Sequence, residues 1–169
     1  MNCPPISPID HHQPNGTSHS STRISIVIAD GSELYREMLK KVIETFPDLE
    51  VIGAASNGCQ ALEMIAARYP QLVLLDLQLP YLSGLQSLAL IREYHPATRV
   101  IIMTSDESND VYTTCLAQGA HGVFSKRRLH QELRQRITEV FCNSPLRYLS
   151  ASQRTQDYEC SKGMLAGNV

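Results

Sequence analysis

The chain lacks the long apolar segments that membrane proteins and exported precursors carry. No uncharged apolar stretch approaches the roughly 20 residues that span a bilayer. The N-terminus also has no continuous apolar segment of the kind found in signal peptides. We therefore expect a cytoplasmic protein with no membrane contact.

The chain also lacks an excess charge, paired cysteines and a glycine-rich loop. Its 15 basic and 17 acidic residues give a formal net charge of −2, so no global field favours nucleic acid. The five cysteines are scattered and include no CxxC pair, which gives no metal-site spacing. No GxGxxG or GxxxxGK[ST] loop follows the first apolar run, which disfavours an enzyme or nucleotide-binding protein.

Composition divides the 169 residues into three parts. Residues 1–22 are rich in proline, serine, histidine and asparagine, and they cannot bury enough apolar surface to order themselves. We predict a disordered N-terminal tail there and a single folded domain over residues 23–142. Residues 143–169 are fewer than the roughly 40 that an independent fold usually needs, so we predict a flexible C-terminal tail or truncated linker and no DNA-binding domain.

Within residues 23–142, short runs rich in valine, isoleucine and leucine alternate with longer segments of helical periodicity. This pattern indicates repeated βα units. Strands that are apolar at consecutive positions are typical of a parallel sheet covered by helices on both faces, which gives a three-layer α/β/α sandwich. The predicted strands are 24–29, 49–55, 71–76, 99–104 and 120–125, and the predicted helices are 33–46, 58–68, 83–94, 107–118 and 128–142.

The first predicted helix carries apolar residues at helical spacing, which predicts a stripe that faces the core. The residues of this stripe are Leu34, Met38, Leu39, Val42 and Phe46. Pro47 ends the helix because its ring removes a donor and clashes with the preceding turn.

Four polar side chains lie where predicted strands end. Asp30, Asp76, Thr104 and Lys126 follow or complete the first, third, fourth and fifth strands. Ligands of open parallel sheets bind outside the carboxyl ends of the strands, so we expect these side chains to converge in one crevice. Two acids, a hydroxyl and an ammonium suit the binding of a divalent cation and a phosphoryl group beside a carboxylate, and aspartate can itself be phosphorylated.

Four blocks of sequence resemble the receiver domains of two-component response regulators, over residues 23–142. The blocks are IVIAD at 26–30, PQLVLLDLQLP at 70–80 followed by Ser83-Gly84-Leu85, VIIMT at 100–104 and GAHGVFSK at 119–126. Together with Tyr148-Leu149-Ser150, they are most similar to the NarL/LuxR subfamily. The resemblance implies a CheY-like, flavodoxin-like fold with a five-stranded parallel sheet of order 2-1-3-4-5.

The resemblance also implies a role for each site residue. Asp76 would be the phosphoacceptor, attacking a phosphohistidine of a histidine kinase or phosphotransfer protein. Asp30, Asp76 and the backbone carbonyl of Gln78 would bind Mg²⁺. Thr104 would hydrogen-bond a phosphoryl oxygen, and Lys126 would meet the phosphate as a point charge. The domain would signal to a downstream protein or form a homodimer, without enzymatic activity and without direct DNA binding.

Two positions depart from the family pattern and leave alternatives open. Gly31 stands where members usually carry a second acid, so the affinity for Mg²⁺ should fall; Glu33 could substitute, although a helix dipole also favours an acid there. Val123 stands where many members carry the aromatic residue of the activation relay. These departures leave open a phosphorylation-independent receiver that acts by constitutive docking or dimerisation. Tyr148-Leu149-Ser150 leaves open a NarL-type transcription regulator that lacks its DNA-binding domain.

Overall fold

The computed structural model describes residues 23–142, so the predicted tails at 1–22 and 143–169 lie outside the described residues. The predicted fold class is confirmed. The described strands form a parallel sheet of order β2-β1-β3-β4-β5. The strands are β1 Ile24–Ala29, β2 Leu49–Ala55, β3 Leu72–Asp76, β4 Arg99–Thr104 and β5 Gly122–Ser125. The helices are α1 Glu33–Glu44, α2 Gly58–Arg68, α3 Gly84–Tyr94, α4 Asn109–Ala117 and α5 Leu129–Cys142, with a 3-10 turn at Lys126–Arg128 before α5.

The sheet separates two apolar clusters. Residues of α2, α3 and α4 pack on one face, and residues of α1 and α5 pack on the other. Neighbouring residues of a strand point to opposite faces, and Val123 and Phe124 of β5 accordingly lie in different clusters. All five residues of β3 are buried, which makes this strand the centre of the core. Each fully buried aliphatic side chain contributes about 1.5–3 kcal/mol relative to an exposed one.

β5 begins two residues later than predicted. The turn that ends α4 extends into this segment: Gly119 adopts a left-handed conformation with φ of 94°, and the Ala120 N–H donates to the Cys115 carbonyl at 3.1 Å. The His121 N–H then donates to the Val100 carbonyl at 2.8 Å and leads into the pairing with β4.

The prediction that one apolar stripe of α1 faces the core is wrong for two residues. Leu34 is 81% exposed and Met38 is 38% exposed, whereas Leu39 and Ile43 are buried. Apolar residues occupy two neighbouring stripes of α1, and the stripe with Leu39 and Ile43 meets the sheet. Tyr35 lies one turn before Leu39 on this same stripe, and it therefore reaches the carboxyl end of the sheet.

None of the helices between residues 23 and 142 has the length and apolar character that a bilayer crossing requires.

Candidate functional site

Asp76 ends β3, and its position is set by a close approach of α3. The side chain is largely buried, and its Oδ1 accepts a hydrogen bond from the Gln78 N–H at 3.2 Å. The Gly84 N–H donates to the Leu77 carbonyl at 3.0 Å. A Cβ at Gly84 would overlap the Asp76 carbonyl oxygen and lie 2.7 Å from the Leu77 Cα, so only glycine fits here. Gly84 thus holds the peptide that presents Asp76.

Asp30 follows β1, the strand next to β3, and is fully buried. Its Oδ1 accepts a hydrogen bond from the Ser32 N–H at 2.8 Å, and Arg36 donates to its backbone carbonyl at 2.7 Å. Its Oδ2 lies 2.6 Å from the Lys126 Nζ as an ion pair, but this oxygen has no properly oriented hydrogen-bond donor among the described residues. Asp30 therefore presents one carboxylate oxygen that is held by charge alone.

Lys126 joins the two acids. Its Nζ lies 2.6 Å from Asp30 Oδ2 and 3.0 Å from Asp76 Oδ2, and 16% of its side chain is exposed. The structure thus brings three of the four predicted side chains into direct contact, although they are far apart in the sequence. Two carboxylates share one ammonium in a mostly buried space, which is a costly arrangement unless a further cation or ligand uses it.

Burial and the ion pairs act in opposite directions on the pKa values of Asp76 and Lys126. Burial raises the pKa of Asp76, the hydrogen bond from Lys126 lowers it, and the charge of Asp30 raises it, with a net upward shift. Burial lowers the pKa of Lys126, but its attractive interactions with Asp30 and Asp76 outweigh this effect and leave the pKa raised. Lys126 is therefore firmly protonated at neutral pH.

Tyr35 is a contact of Lys126 that the sequence reasoning missed. The Nζ lies 4.4 Å from the centroid of the Tyr35 ring, within the range of a cation–π interaction. The available signal was an aromatic residue in the first turn of the helix that begins just after Asp30. Burial raises the pKa of the Tyr35 phenol, and the charges of Asp30 and Asp76 raise it further, so the ring stays neutral.

Thr104 ends β4 and is buried beside the site. β4 lies between β3 and β5, and Thr104 pairs in register with Ser125. The Thr104 hydroxyl accepts a hydrogen bond from the Asp106 N–H at 3.0 Å. Its place at the same edge as Asp76 agrees with the predicted convergence, and its hydroxyl hydrogen remains available for a ligand oxygen.

Ser125 and Glu107 form a second polar group that the sequence did not reveal. The buried Ser125 hydroxyl donates to Glu107 Oε1 at 2.6 Å, and Arg128 donates to Glu107 Oε2 at 3.3 Å. These bonds attach the loop after β4 to the end of β5. A serine directly before Lys126 gives no sequence signal for this link, because its partner comes from a separate loop.

The residues present fit a Mg²⁺ ion, with fewer acids than a strong site would use. Asp30 Oδ2 is a buried carboxylate oxygen without a hydrogen bond, which is the kind of ligand that Mg²⁺ takes. Asp76 lies on the other side of the shared ammonium, and Gln78 follows it in the loop. Between residues 23 and 142, no three histidines, cysteines or acids are grouped as a metal site. Glu33 is exposed at the start of α1.

Comparisons with known proteins identify relatives of this fold and site. The family model of the response regulator receiver domain matches residues 26–138. The nitrate/nitrite response regulator protein NarL of Escherichia coli is 33% identical over 102 residues, which cover 60% of this chain and 47% of that protein. A protein-glutamate methylesterase/protein-glutamine glutaminase of Vibrio vulnificus is 36% identical over 107 residues, which cover 63% of this chain and 31% of that protein.

A solved receiver-domain structure has a similar fold. The response regulator domain of Thermotoga maritima CheB superposes with a TM-score of 0.67 at 27% identity, covering 73% of this chain and 99% of that chain. The chain spans about half or less of the length of the curated relatives that it matches.

Proposed function

The chain belongs to the response regulator receiver domain family of two-component signalling, and on this premise we propose that it accepts a phosphoryl group on Asp76. One observation carries the proposal: the Lys126 ammonium lies within 3.0 Å of both Asp76 and Asp30 at the carboxyl edge of the sheet. The donor would be a phosphohistidine of a histidine kinase or a phosphotransfer protein, in the cytoplasm. The role is regulatory rather than enzymatic, and its readout is a downstream protein or a homodimer.

The transfer is a displacement at phosphorus. A carboxylate oxygen of Asp76 attacks the phosphorus, and the bond between phosphorus and the imidazole nitrogen of the donor breaks. The electron pair stays on that nitrogen, which is then neutral or takes a proton, and Asp76 becomes an acyl phosphate. Lys126 favours the ionised form of Asp76 that this attack requires. Lys126 and the Thr104 hydroxyl then stabilise the charge on the phosphoryl oxygens.

Mg²⁺ would be held by Asp30, Asp76 and the backbone carbonyl of Gln78. When bound, the ion neutralises charge on the phosphoryl oxygens. Lys126 lies against Asp30 Oδ2, so the ammonium must move away before that oxygen can take a metal. The cation site is therefore in competition with the ion pair, and we expect weak Mg²⁺ binding.

Gly31 offers a way to test this cation site. A Cβ at this position would lie 3.4 Å from Pro80 Cδ, an ordinary contact, so a side chain fits. Gly31→Asp adds a carboxylate beside Asp30 and should tighten Mg²⁺ binding by about tenfold, or ~1.4 kcal/mol. Isothermal titration of Mg²⁺ into the two proteins measures the change, and Gly31→Asn is the uncharged control. Equal affinities for Gly31→Asp and Gly31→Asn would contradict the placement of the metal.

The phosphorylation itself is tested by incubation with acetyl phosphate and Mg²⁺, followed by intact-protein mass spectrometry. We expect the mass of one added phosphoryl group in the wild type and none in Asp76→Asn. Asp30→Asn keeps Asp76 but loses a metal ligand, so we expect slower labelling. A higher Mg²⁺ concentration should partly restore the rate. No labelling of the wild type at high donor concentration, or equal labelling of Asp76→Asn, would overturn the proposal.

A second function is favoured by the resting contacts of Lys126. Because the ammonium already pairs with both acids and Gly31 supplies no third, the domain could be held in one state and act as a constitutive docking or dimerisation module. In that case Asp76→Asn would leave self-association unchanged, and a phosphodonor would have no effect on it. Sedimentation velocity of both proteins, with and without the donor, separates the two functions.

A further inference from the structure

The Tyr35 ring forms a wall of the space that holds the Lys126 ammonium. The Nζ has a carboxylate oxygen of Asp30 at 2.6 Å, a carboxylate oxygen of Asp76 at 3.0 Å and the ring centroid at 4.4 Å. The ring is half-buried, and it approaches from α1, whereas the acids come from β1 and β3. The ammonium thus has one neighbour that carries no net charge and that binds neither Mg²⁺ nor a phosphoryl group.

The chain fixes this ring through the same turn that fixes Asp30. Ser32 is the N-cap of α1, and its hydroxyl accepts the Tyr35 N–H at 3.3 Å. The Ser32 N–H in turn donates to Asp30 Oδ1 at 2.8 Å. One short hydrogen-bonded segment therefore links the acid to the helical turn that carries the aromatic ring.

The ring face, rather than the hydroxyl, makes the useful contact. The Tyr35 hydroxyl is 3.5 Å from the Lys126 backbone carbonyl, at the limit of a hydrogen bond. A cation–π contact with a partly desolvated ammonium is stronger than such a long bond. Phenylalanine at this position would keep the face and lose only the hydroxyl, whereas leucine would keep an apolar side chain and lose the face.

We propose that Tyr35 is a positioning residue that keeps the Lys126 ammonium over Asp76 when the Asp30 carboxylate turns to a metal ion. This inference rests on the proposed function. In the resting protein the ammonium has three attractive neighbours, and metal binding removes one of them. The ring then keeps the ammonium from moving out to solvent, so that it can meet an oxygen of the phosphoryl group on Asp76.

The test uses beryllofluoride with Mg²⁺ as a probe that mimics a phosphoryl group on the aspartate. We expect Tyr35→Leu to weaken beryllofluoride binding by about three- to tenfold, the range of a partly exposed cation–π contact, and Tyr35→Phe to stay within about twofold of wild type. Tyr94→Leu, an exposed tyrosine at the far end of α3, is the matched control and should have no effect. In a Lys126→Ala background, Tyr35→Leu should cost nothing more.

An effect of Tyr35→Leu that is equally large without Lys126 would overturn the positioning role, and so would equal binding by wild type, Phe and Leu proteins. A second readout needs no phosphoryl mimic: the side-chain Cε protons of Lys126 should be shifted upfield by the ring in the wild type and in Tyr35→Phe, but not in Tyr35→Leu. Absence of that shift would also overturn the inference. A wild type that binds no beryllofluoride and takes up no phosphoryl group would instead overturn the proposed function, while the shift would still report the contact.

Discussion

The two edges of the parallel sheet treat polar groups in different ways. At the carboxyl edge, Asp30 and Asp76 are buried and share the ammonium of Lys126. At the amino edge, Arg134 and Asp48 form an ion pair at 2.8 Å, and their side chains are 44% and 45% exposed. The amino edge also buries polar atoms: the Thr98 hydroxyl donates to the Pro70 carbonyl at 3.0 Å, whereas the Arg99 Nε has no hydrogen-bond partner among the described residues.

This difference indicates that the carboxyl edge is arranged for a ligand and the amino edge for stability. Burying an ion costs several kcal/mol, and a surface ion pair contributes only about 0–1 kcal/mol. The carboxyl edge therefore carries an arrangement that stability alone does not favour, which is expected where a ligand completes the site. The ion pair at the amino edge is exposed instead, so its contribution to stability is small. Substitutions at the two edges should accordingly change stability by different amounts, and the pH dependence of stability should have opposite signs.

The largest effect is expected where α3 meets the end of β3. Gly84→Ala places a Cβ in overlap with the Asp76 carbonyl oxygen, so we expect a loss of about 3 kcal/mol in the free energy of unfolding, together with displacement of Asp76. Gly31→Ala, at the same edge but in ordinary contact with Pro80, should change stability by less than about 0.5 kcal/mol. Urea unfolding measures both. A tolerated Gly84→Ala would contradict the tight approach.

The ion pairs of the two edges give the next comparison. Lys126→Met leaves two buried carboxylates without their cation and should cost about 2 kcal/mol, less than for a fully buried pair because Lys126 is partly exposed. Arg134→Met removes a surface pair and should cost less than about 1 kcal/mol. Equal losses in urea unfolding at neutral pH would remove the distinction between the edges.

The pH dependence of stability should have opposite signs at the two edges. At the amino edge, burial lowers the pKa of His121, nearby Arg92 and Arg99 lower it further, and its Nδ1 accepts the Val100 N–H at 3.1 Å. The folded state resists protonation, so stability falls as the pH drops through the ordinary histidine pKa of about 6.5 toward the lowered value. Burial also lowers the pKa of His95, which therefore contributes to the pH dependence of stability with the same sign.

At the carboxyl edge, the raised pKa of Asp76 has the reverse effect, because protonation relieves a buried charge. Its contribution to stability increases on acidification as the pH falls through the raised value toward the ordinary one. Thermal unfolding between pH 8 and pH 4 should show that His121→Gln removes part of the loss below about pH 6.5. The same scan should show that Asp76→Asn removes the opposing gain at lower pH. A His121→Gln protein with an unchanged profile would contradict the assignment.

The smallest effect concerns two tyrosines in the left-handed backbone region. Tyr81, in the loop after β3, has φ of 65°, and Tyr69, which ends α2, has φ of 47°. Asparagine tolerates this conformation better, so Tyr81→Asn should raise stability by about 0.5–1 kcal/mol. Tyr69→Asn should gain less because it loses an edge-on contact with His95, whose ring centroid lies 6.3 Å away. Differential scanning calorimetry can resolve the two, and a larger gain for Tyr69→Asn would reverse the expectation.

The strands could be predicted from the sequence because each one is encoded locally, whereas their order in the sheet was implied by the family resemblance. Consecutive apolar residues such as Val73 and Leu74 specify burial on both faces, and the ends of such runs locate Asp30 and Asp76 without knowledge of their partners. Periodicity alone did not decide which of two apolar stripes of α1 meets the sheet, since Leu34 and Leu39 fit helical spacing equally well. Only packing against the sheet, including β2, selects one stripe.

The details of the site depend on contacts that no local pattern records. The bridging position of Lys126 depends on the register of β5 against β4, and the Tyr35 contact depends on how α1 leaves the sheet. The Ser125–Glu107 bond joins a strand end to a loop from a different βα unit. Sequence could therefore name the candidate residues, but it could not show which of them touch.

We propose above that the carboxyl edge of the sheet presents Asp76 as an acceptor of phosphoryl groups. The most direct measurement is to treat the phosphodonor-incubated protein with borohydride, which reduces an acyl phosphate to an alcohol, and to map the modified residue by peptide mass spectrometry. We expect homoserine at position 76 and at no other aspartate, with a yield that depends on Mg²⁺. Modification at another residue, or none at position 76 despite an added phosphoryl mass, would contradict phosphorylation of Asp76.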